Sequence, residues 1–218
     1  RLLYLQPLPK SKKMIGGAAI SVKQINDETL HMLELAYENV SQAFGQLLQF
    51  SDKNDEQIYR REDTVNYLDK VISEYISTAL ATPNLNVNIS QALSSYYLML
   101  VDIERISDYA VNMNHQAAKR LQDQMTISEI EIVEHMQKLC VDMKNDLYDV
   151  EEAERKDDVI DSLVSSWREA QIQALKQQKC SSEVSMMLSR IFTDFERIND
   201  HALNVSQEFD KINIEIPE

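Results

Sequence analysis

Glycine and proline are nearly missing from this sequence, at three and four residues in 218. A turn-rich β fold needs both at many corners, and a glycine-rich phosphate loop needs several glycines close together, so both are excluded. Cysteine is as scarce. Cys140 and Cys180 stand far apart in separate expected helices, which rules out a disulfide framework and points to a reducing compartment and ordinary buried thiols. No apolar run approaches the ~20 residues of a membrane-spanning helix. The opening RLLYLQPLPK lacks the order of a signal peptide. Because the chain opens on Arg1 rather than Met, it reads as part of something longer.

Positive charge is the next shortage. Lys and Arg total 22 against 36 Asp and Glu, for a net charge of −14 and a pI near 4.7. Nucleic acid is excluded as a partner, since its phosphates must be neutralised by basic side chains. Anionic lipid is repelled too, except near the short basic cluster Lys10, Lys12 and Lys13. Histidine is limited to four residues. A helical di-iron enzyme needs two Glu-x-x-His motifs, and Glu28-x-x-His31 is the one such pair, with His31 expected on the exposed side of the first helix. His135 and His201 sit next to acidic residues without metal-ligand spacing, His115 follows Asn114 on a polar face, and neither cysteine has a histidine within a helical turn in sequence. Catalysis is therefore not expected.

What the chain has in quantity is Leu, Ile, Met, Ala, Glu, Gln and Lys, the residues of long helices, so the expected class is all-α. Apolar residues at Leu30, Leu33, Ala36, Val40, Phe44 and Leu47 mark one helix face over about 18–50. SDKND ends it and offers caps for a second helix over about 55–81, which ATPNLN stops at Pro83. A third begins at Asn88 or Ser90 and runs to about Gln122. Thr126 with Glu129 has the capping-box pattern of a fourth; a fifth covers about 153–179, and CSSE caps a sixth ending near Phe209.

The plan repeats. DIERISDYAVN, at 102–112, returns as DFERINDHALN at 194–204, and RREDTVNYL at 60–68 returns as RKDDVIDSL at 155–163. Two copies of a three-helix unit follow. On the third helix, Ile103, Ile106, Ala110 and Met113 form the core stripe. Glu104 and Asp108, four apart, put their carboxylates side by side on one flank, with Asn112 a turn further on. Glu196, Asp200 and Asn204 repeat the arrangement. Like charges at this spacing repel by a few tenths of a kcal/mol, so something must relieve them. Arg105 and Arg197, three residues before Asp108 and Asp200, suit an ion-pair lattice; paired carboxylates also suit a hard cation such as Mg²⁺, Ca²⁺, Mn²⁺ or iron. On the fifth helix Asp157 and Asp161 are again four apart, positioned to face the sixth. Their first-half counterparts are Glu62 and Asn66, so that copy has lost a carboxylate; Asp63 and Asp158 add charge beside them. A plain helical scaffold is the third reading, with Tyr96, Tyr97, Trp167, Phe192 and Phe195 as core.

Acidic four-residue pairs on a doubled three-helix unit, with Glu-Arg-Ile-x-Asp-x-Ala-x-Asn on each third helix, resemble the PhoU family over about 20–209. The resemblance implies two tandem antiparallel three-helix bundles related by a pseudo-twofold. Residues 20–122 form the first unit and 123–218 the second, with 1–19 a membrane-proximal tail or linker. It implies metal cations (iron, zinc, magnesium or manganese) at Glu104, Asp108, Asp157, Asp161, Glu196 and Asp200, with Asn66 departing from the pattern. It also implies control of phosphate uptake at the cytoplasmic face of the inner membrane. The stretch GGAAISVKQINDETLHMLELA is similar to the segment that joins a sodium/phosphate cotransporter's membrane part to such a domain. The expected form is therefore that domain, its partner being the transporter upstream on the same chain, with the basic tail near the inner-membrane surface. The alternative is a free-standing PhoU-like restrainer of a phosphate ABC transporter and its sensor kinase. A homodimer suits long helices, though no pattern marks it.

Overall fold

The computed structural model describes residues 2–4 and 18–212, and among these there are six α-helices and no strand. They are α1 (Ala18–Leu48), α2 (Asp52–Leu80), α3 (Val87–Ala117), α4 (Ile127–Asn145), α5 (Val150–Lys176) and α6 (Ser182–Lys211). Helices α2, α4, α5 and α6 each start on a side-chain cap supplied locally by the sequence: Ser51, Thr126, Asp149 and Ser181. Ser51 Oγ accepts the Asn54 N–H, Asp149 accepts from Glu152 N–H, and Ser181 Oγ accepts from Val184 N–H. At Thr126 the full capping box forms: its hydroxyl accepts from Glu129 N–H at 3.2 Å, and the Glu129 carboxylate accepts from Thr126 N–H at 2.9 Å. Thr126→Ala is expected to cost about 1 kcal/mol in urea unfolding, more than Ser94→Ala at an exposed position of α3.

Several helix ends differ from expectation: α2 starts at Asp52 rather than about 55, and α5 ends at Lys176 rather than about 179. The third helix stops at Ala117 rather than near Gln122: Arg120 takes φ 53°, and a 3₁₀ turn at Gln122–Gln124 leads to the extended backbone that Thr126 needs as a cap. The fifth starts three residues earlier than expected because Asp149 caps it. With so few glycines, the chain turns after helices on Asn84, Arg120 and Gln178, all at positive φ.

Within each half the helices run up, down and up. Arg61 pairs with Glu38 across α1 and α2 at 3.0 Å, and Asn114 donates to Asp55 across α2 and α3 at 2.7 Å. In the second half Gln171 of α5 donates to Glu129 of α4 at 2.7 Å, and Arg168 of α5 donates to the Ser189 carbonyl of α6 at 3.2 Å. The halves meet along matching helices. Lys144 reaches Glu34 and Gln137 reaches the Ser41 carbonyl, so α4 runs antiparallel to α1. Tyr109 stacks on His201 while Tyr96 meets Phe209 edge-on, so α6 runs antiparallel to α3. That antiparallel pairing of equivalent helices is the pseudo-twofold, and the architecture is two tandem three-helix bundles.

One apolar core runs through both halves, and the edge-to-face pair Phe44–Phe195 joins them. The expected third-helix stripe Ile103, Ile106, Ala110 and Met113 is buried, as are Tyr96, Phe192 and Phe195. Tyr97 is not: at 43 % exposure it lies on the outer face of α3, one residue past the core-facing Tyr96. His31 also departs from expectation. It is 17 % exposed, with Nδ1 2.9 Å from the fully buried Glu28, whose carboxylate also accepts the backbone N–H groups of Leu3 and Tyr4. A buried carboxylate must be paired, and α1 satisfies this one with a histidine one turn away. Lys10, Lys12 and Lys13 lie outside the described residues. No helix among those described is long and apolar enough to cross a membrane.

Candidate metal centre

The antiparallel neighbours α5 and α6 bring the second-half carboxylates together. Asp157 and Asp161, one turn apart on α5, face Asp200 of α6, and one oxygen from each lies within 4.8 Å of the others. Asp157 and Asp200 are half-buried and Asp161 is exposed, so the cluster sits at the mouth of the α5–α6 groove. Burial, then Asp161, Asp200 and Asp158, pushes Asp157 up to about 6. Asp200 is raised by burial and by Asp161, against the lowering effect of Arg197 and His201. The Arg197 guanidinium stands 3.8 Å from Asp200. Asp157 Oδ1 is buried and has no hydrogen-bond partner, the state of an acceptor suited to a cation.

Glu196 is placed apart from this trio. Arg168 comes across from α5, donates to Thr193 Oγ1 at 2.9 Å, and stands 3.5 Å from Glu196 Oε1. Asn204 is also turned elsewhere: its amide donates to Asp102 Oδ1 at 3.1 Å, and His201 Nδ1 lies 2.8 Å from the same oxygen. Asp102 thus ties α3 to α6 rather than serving a cation site.

The first half is built differently, in the groove between α2 and α3. Glu62 accepts a hydrogen bond from Ser107 and is raised by burial and by Asp108, with Asn66 acting in the lowering direction. Glu104 is pushed up to about 7 by burial, then by Asp108, with Asp69 contributing. Arg105 stands 3.9 Å from Glu104 and 3.6 Å from Asp108. Among the described residues, no first-half trio closes as the second-half one does, and Asn66, standing where the second half has Asp161, is the reason visible in sequence. Asp69 was missed by sequence reading. Its signal was its spacing, two turns after Glu62 on the same α2 face.

These raised carboxylates fix the sign of the pH dependence. Glu104 holds its proton more tightly folded than unfolded, so it favours folding below its ordinary value of 4.5, and that contribution is lost as pH rises through about 7. Asp157 acts alike up to about 6. Metal-free protein is therefore expected to gain stability on mild acidification from neutral pH. Glu104→Gln should flatten that gain, as chemical denaturation at a series of pH values would show.

A duplicated three-helix bundle with an acidic groove in each half defines an all-helical, carboxylate-faced class of protein. A family model for the PhoU domain matches residues 29–117 and again 127–209, and the chain belongs to the PhoU family. It is 23 % identical over 196 residues to a protein from Thermotoga maritima named phosphate-specific transport system accessory protein PhoU homolog 1, covering 84 % of this chain and 83 % of that one. Two crystal structures share its fold. PhoU from Pseudomonas aeruginosa has a TM-score of 0.77 at 19 % identity, covering 90 % of this chain and 97 % of that one. The phosphate transport system regulatory protein PhoU from Streptococcus pneumoniae also has a TM-score of 0.77 at 19 % identity, covering 92 % and 99 %.

Proposed function

We propose that this chain regulates phosphate uptake by docking on a transport partner at the cytoplasmic face of the inner membrane, with hard cations held on its acidic helix faces. The carrying observation is the Asp157–Asp161–Asp200 cluster with its buried, partnerless Asp157 oxygen. An all-oxygen donor set suits magnesium, manganese or iron better than zinc, which favours nitrogen and sulfur ligands. A cation there offsets the repulsion among three crowded carboxylates and fixes α5 against α6. Of the other candidates, Glu104 and Asp108 offer a weaker first-half site, and Glu196 joins only if Arg168 swings away. A regulator must bind one state of its partner better than another, and a rigid acidic surface supplies such a difference without catalysis.

The free-standing form, restraining a phosphate ABC transporter and its sensor kinase, is favoured because the matched relatives are PhoU proteins covered over 83–99 % of their lengths. The cotransporter-domain form has one observation in its favour, the likeness of 16–36 to a joining segment. Cells lacking the chain should take up radiolabelled phosphate without restraint when phosphate is plentiful. Unchanged uptake would remove the regulatory reading. Apolar spans encoded immediately upstream of Arg1 would favour the cotransporter form.

A further inference from the structure

The two halves match in fold and differ in what their third helices show to solvent. On the outer face of α3, Tyr97, Leu98 and Val101 lie within one turn of each other and are 43, 51 and 51 % exposed. The equivalent places on α6 hold Ser189, Arg190 and Thr193. Val87 continues the apolar strip towards the start of α3. Beside it, an open cleft of about 590 Å³ lies between α3 and the end of α6, lined by Val87, Leu98, Ser90, Ser94 and Ser95, and by Glu208 with Lys211. Small hydroxyl side chains between apolar walls leave room for the knobs of another helix.

The next turns of α3 carry Glu104 and Asp108, with Glu62 and Asp69 across the groove. Among the described ion pairs only Arg105 reaches any of these four. The strip thus ends in four carboxyl groups with a single arginine among them, an excess of negative charge. A second copy of this chain, at −14, would bring like charge to like, and an anionic lipid surface would do the same.

We propose that the Tyr97–Leu98–Val101 face and its adjoining cleft form a docking groove for a basic amphipathic helix of a partner protein. The partner helix lays apolar side chains at i, i+3, i+4 and i+7 along the strip and directs Lys or Arg towards Glu104, Asp108 and Asp69. The first half is the docking half and the second half the tighter cation-holding half. This rests on the docking reading above and deepens it, yet the surface can be tested without any phosphate measurement.

The probe is a fluorescent helical peptide with leucines at i, i+3, i+4 and i+7 and lysines elsewhere, titrated by anisotropy at physiological ionic strength. Two controls carry the same leucines with glutamates, or the same lysines with glutamines in place of the leucines. Only the first peptide should bind. Tyr97→Ser/Leu98→Gln/Val101→Thr, which leaves the charge unchanged, should weaken it about tenfold or more, with helical circular dichroism as in the native chain. Asp69→Asn/Glu104→Gln should weaken it too and reduce its salt dependence. No binding, equal binding of the glutamine control, or an unchanged affinity in the triple variant overturns the proposal. So does dimerisation of the native chain that the triple variant abolishes in sedimentation. If peptide binding behaves as stated while cells lacking the chain show ordinary phosphate uptake, the groove stands and the regulatory reading falls.

Discussion

Manganese or magnesium added to metal-free protein raises its unfolding temperature, and Asp157→Asn/Asp200→Asn removes the rise. A ligand bound only to the folded state stabilises it by about 2.7 kcal/mol at a hundredfold excess over its dissociation constant. The unfolded chain scatters the three carboxylates and binds the ion poorly, so nearly all of that gain registers. Without metal the order reverses. Asp157 is raised by burial and then by Asp161 and Asp200, and Asp200 by burial and then by Asp161, so replacing the two with neutral amides relieves repulsion. The double variant should then unfold no earlier than native protein when both are stripped, and earlier than native protein when metal is in excess. Calorimetric titration gives the same test directly, with one site per chain filled tightly in native protein and lost in the variant. An equal thermal shift in both proteins, or equal affinity, means the acidic groove is an ion-pair surface and nothing more.

Glu196→Gln serves as the internal comparison for that experiment. Its carboxylate is occupied by Arg168, so its loss should leave most of the cation affinity in place. The contrast with Asp200→Asn separates a specific three-carboxylate site from a general dependence on negative charge along α6.

The helices were legible because their stripes and caps are local. Apolar residues at three- and four-residue spacing, Thr126 with Glu129, and the hydroxyls of Ser51 and Ser181 each act within a turn or two of chain. The facing of Asp157 and Asp161 towards Asp200 was legible for a different reason: the repeat supplies the helix order, and an antiparallel pair of acidic flanks then meets in a groove. What sequence could not show were contacts made by long side chains between helices. Arg168 reaches Glu196 across a gap that no spacing rule spans, and Asp102 draws Asn204 and His201 from the other half. Tyr97 was misplaced because Tyr96 and Tyr97 are adjacent, and only the crossing of α3 over α1 and α6 decides which of the two turns inward. Asn114 was expected on a polar face. It is fully buried, bonded to Asp55 and accepting from Gln46, because three helices converge at that level of the first bundle.

Phe195→Ala is expected to cost about 3–5 kcal/mol and to weaken both halves at once. The ring is fully buried in α6, stands edge-on to Phe44 of α1 at 6.3 Å, and lies 6.3 Å from Trp167 of α5. Removing it leaves a cavity at the seam where the two bundles share a core, and neither bundle can collapse into it without moving the other. If the halves were independent domains with a thin interface, the same change would lower one unfolding transition and spare the second. The continuous core predicts instead a single transition that shifts as a whole, with fluorescence of Trp167 and helical circular dichroism losing amplitude together. Two separated transitions in the variant would show that the halves fold apart. A cation fixing α5 to α6 could then act on the second half alone, without stiffening the α3 surface where the partner helix is proposed to dock.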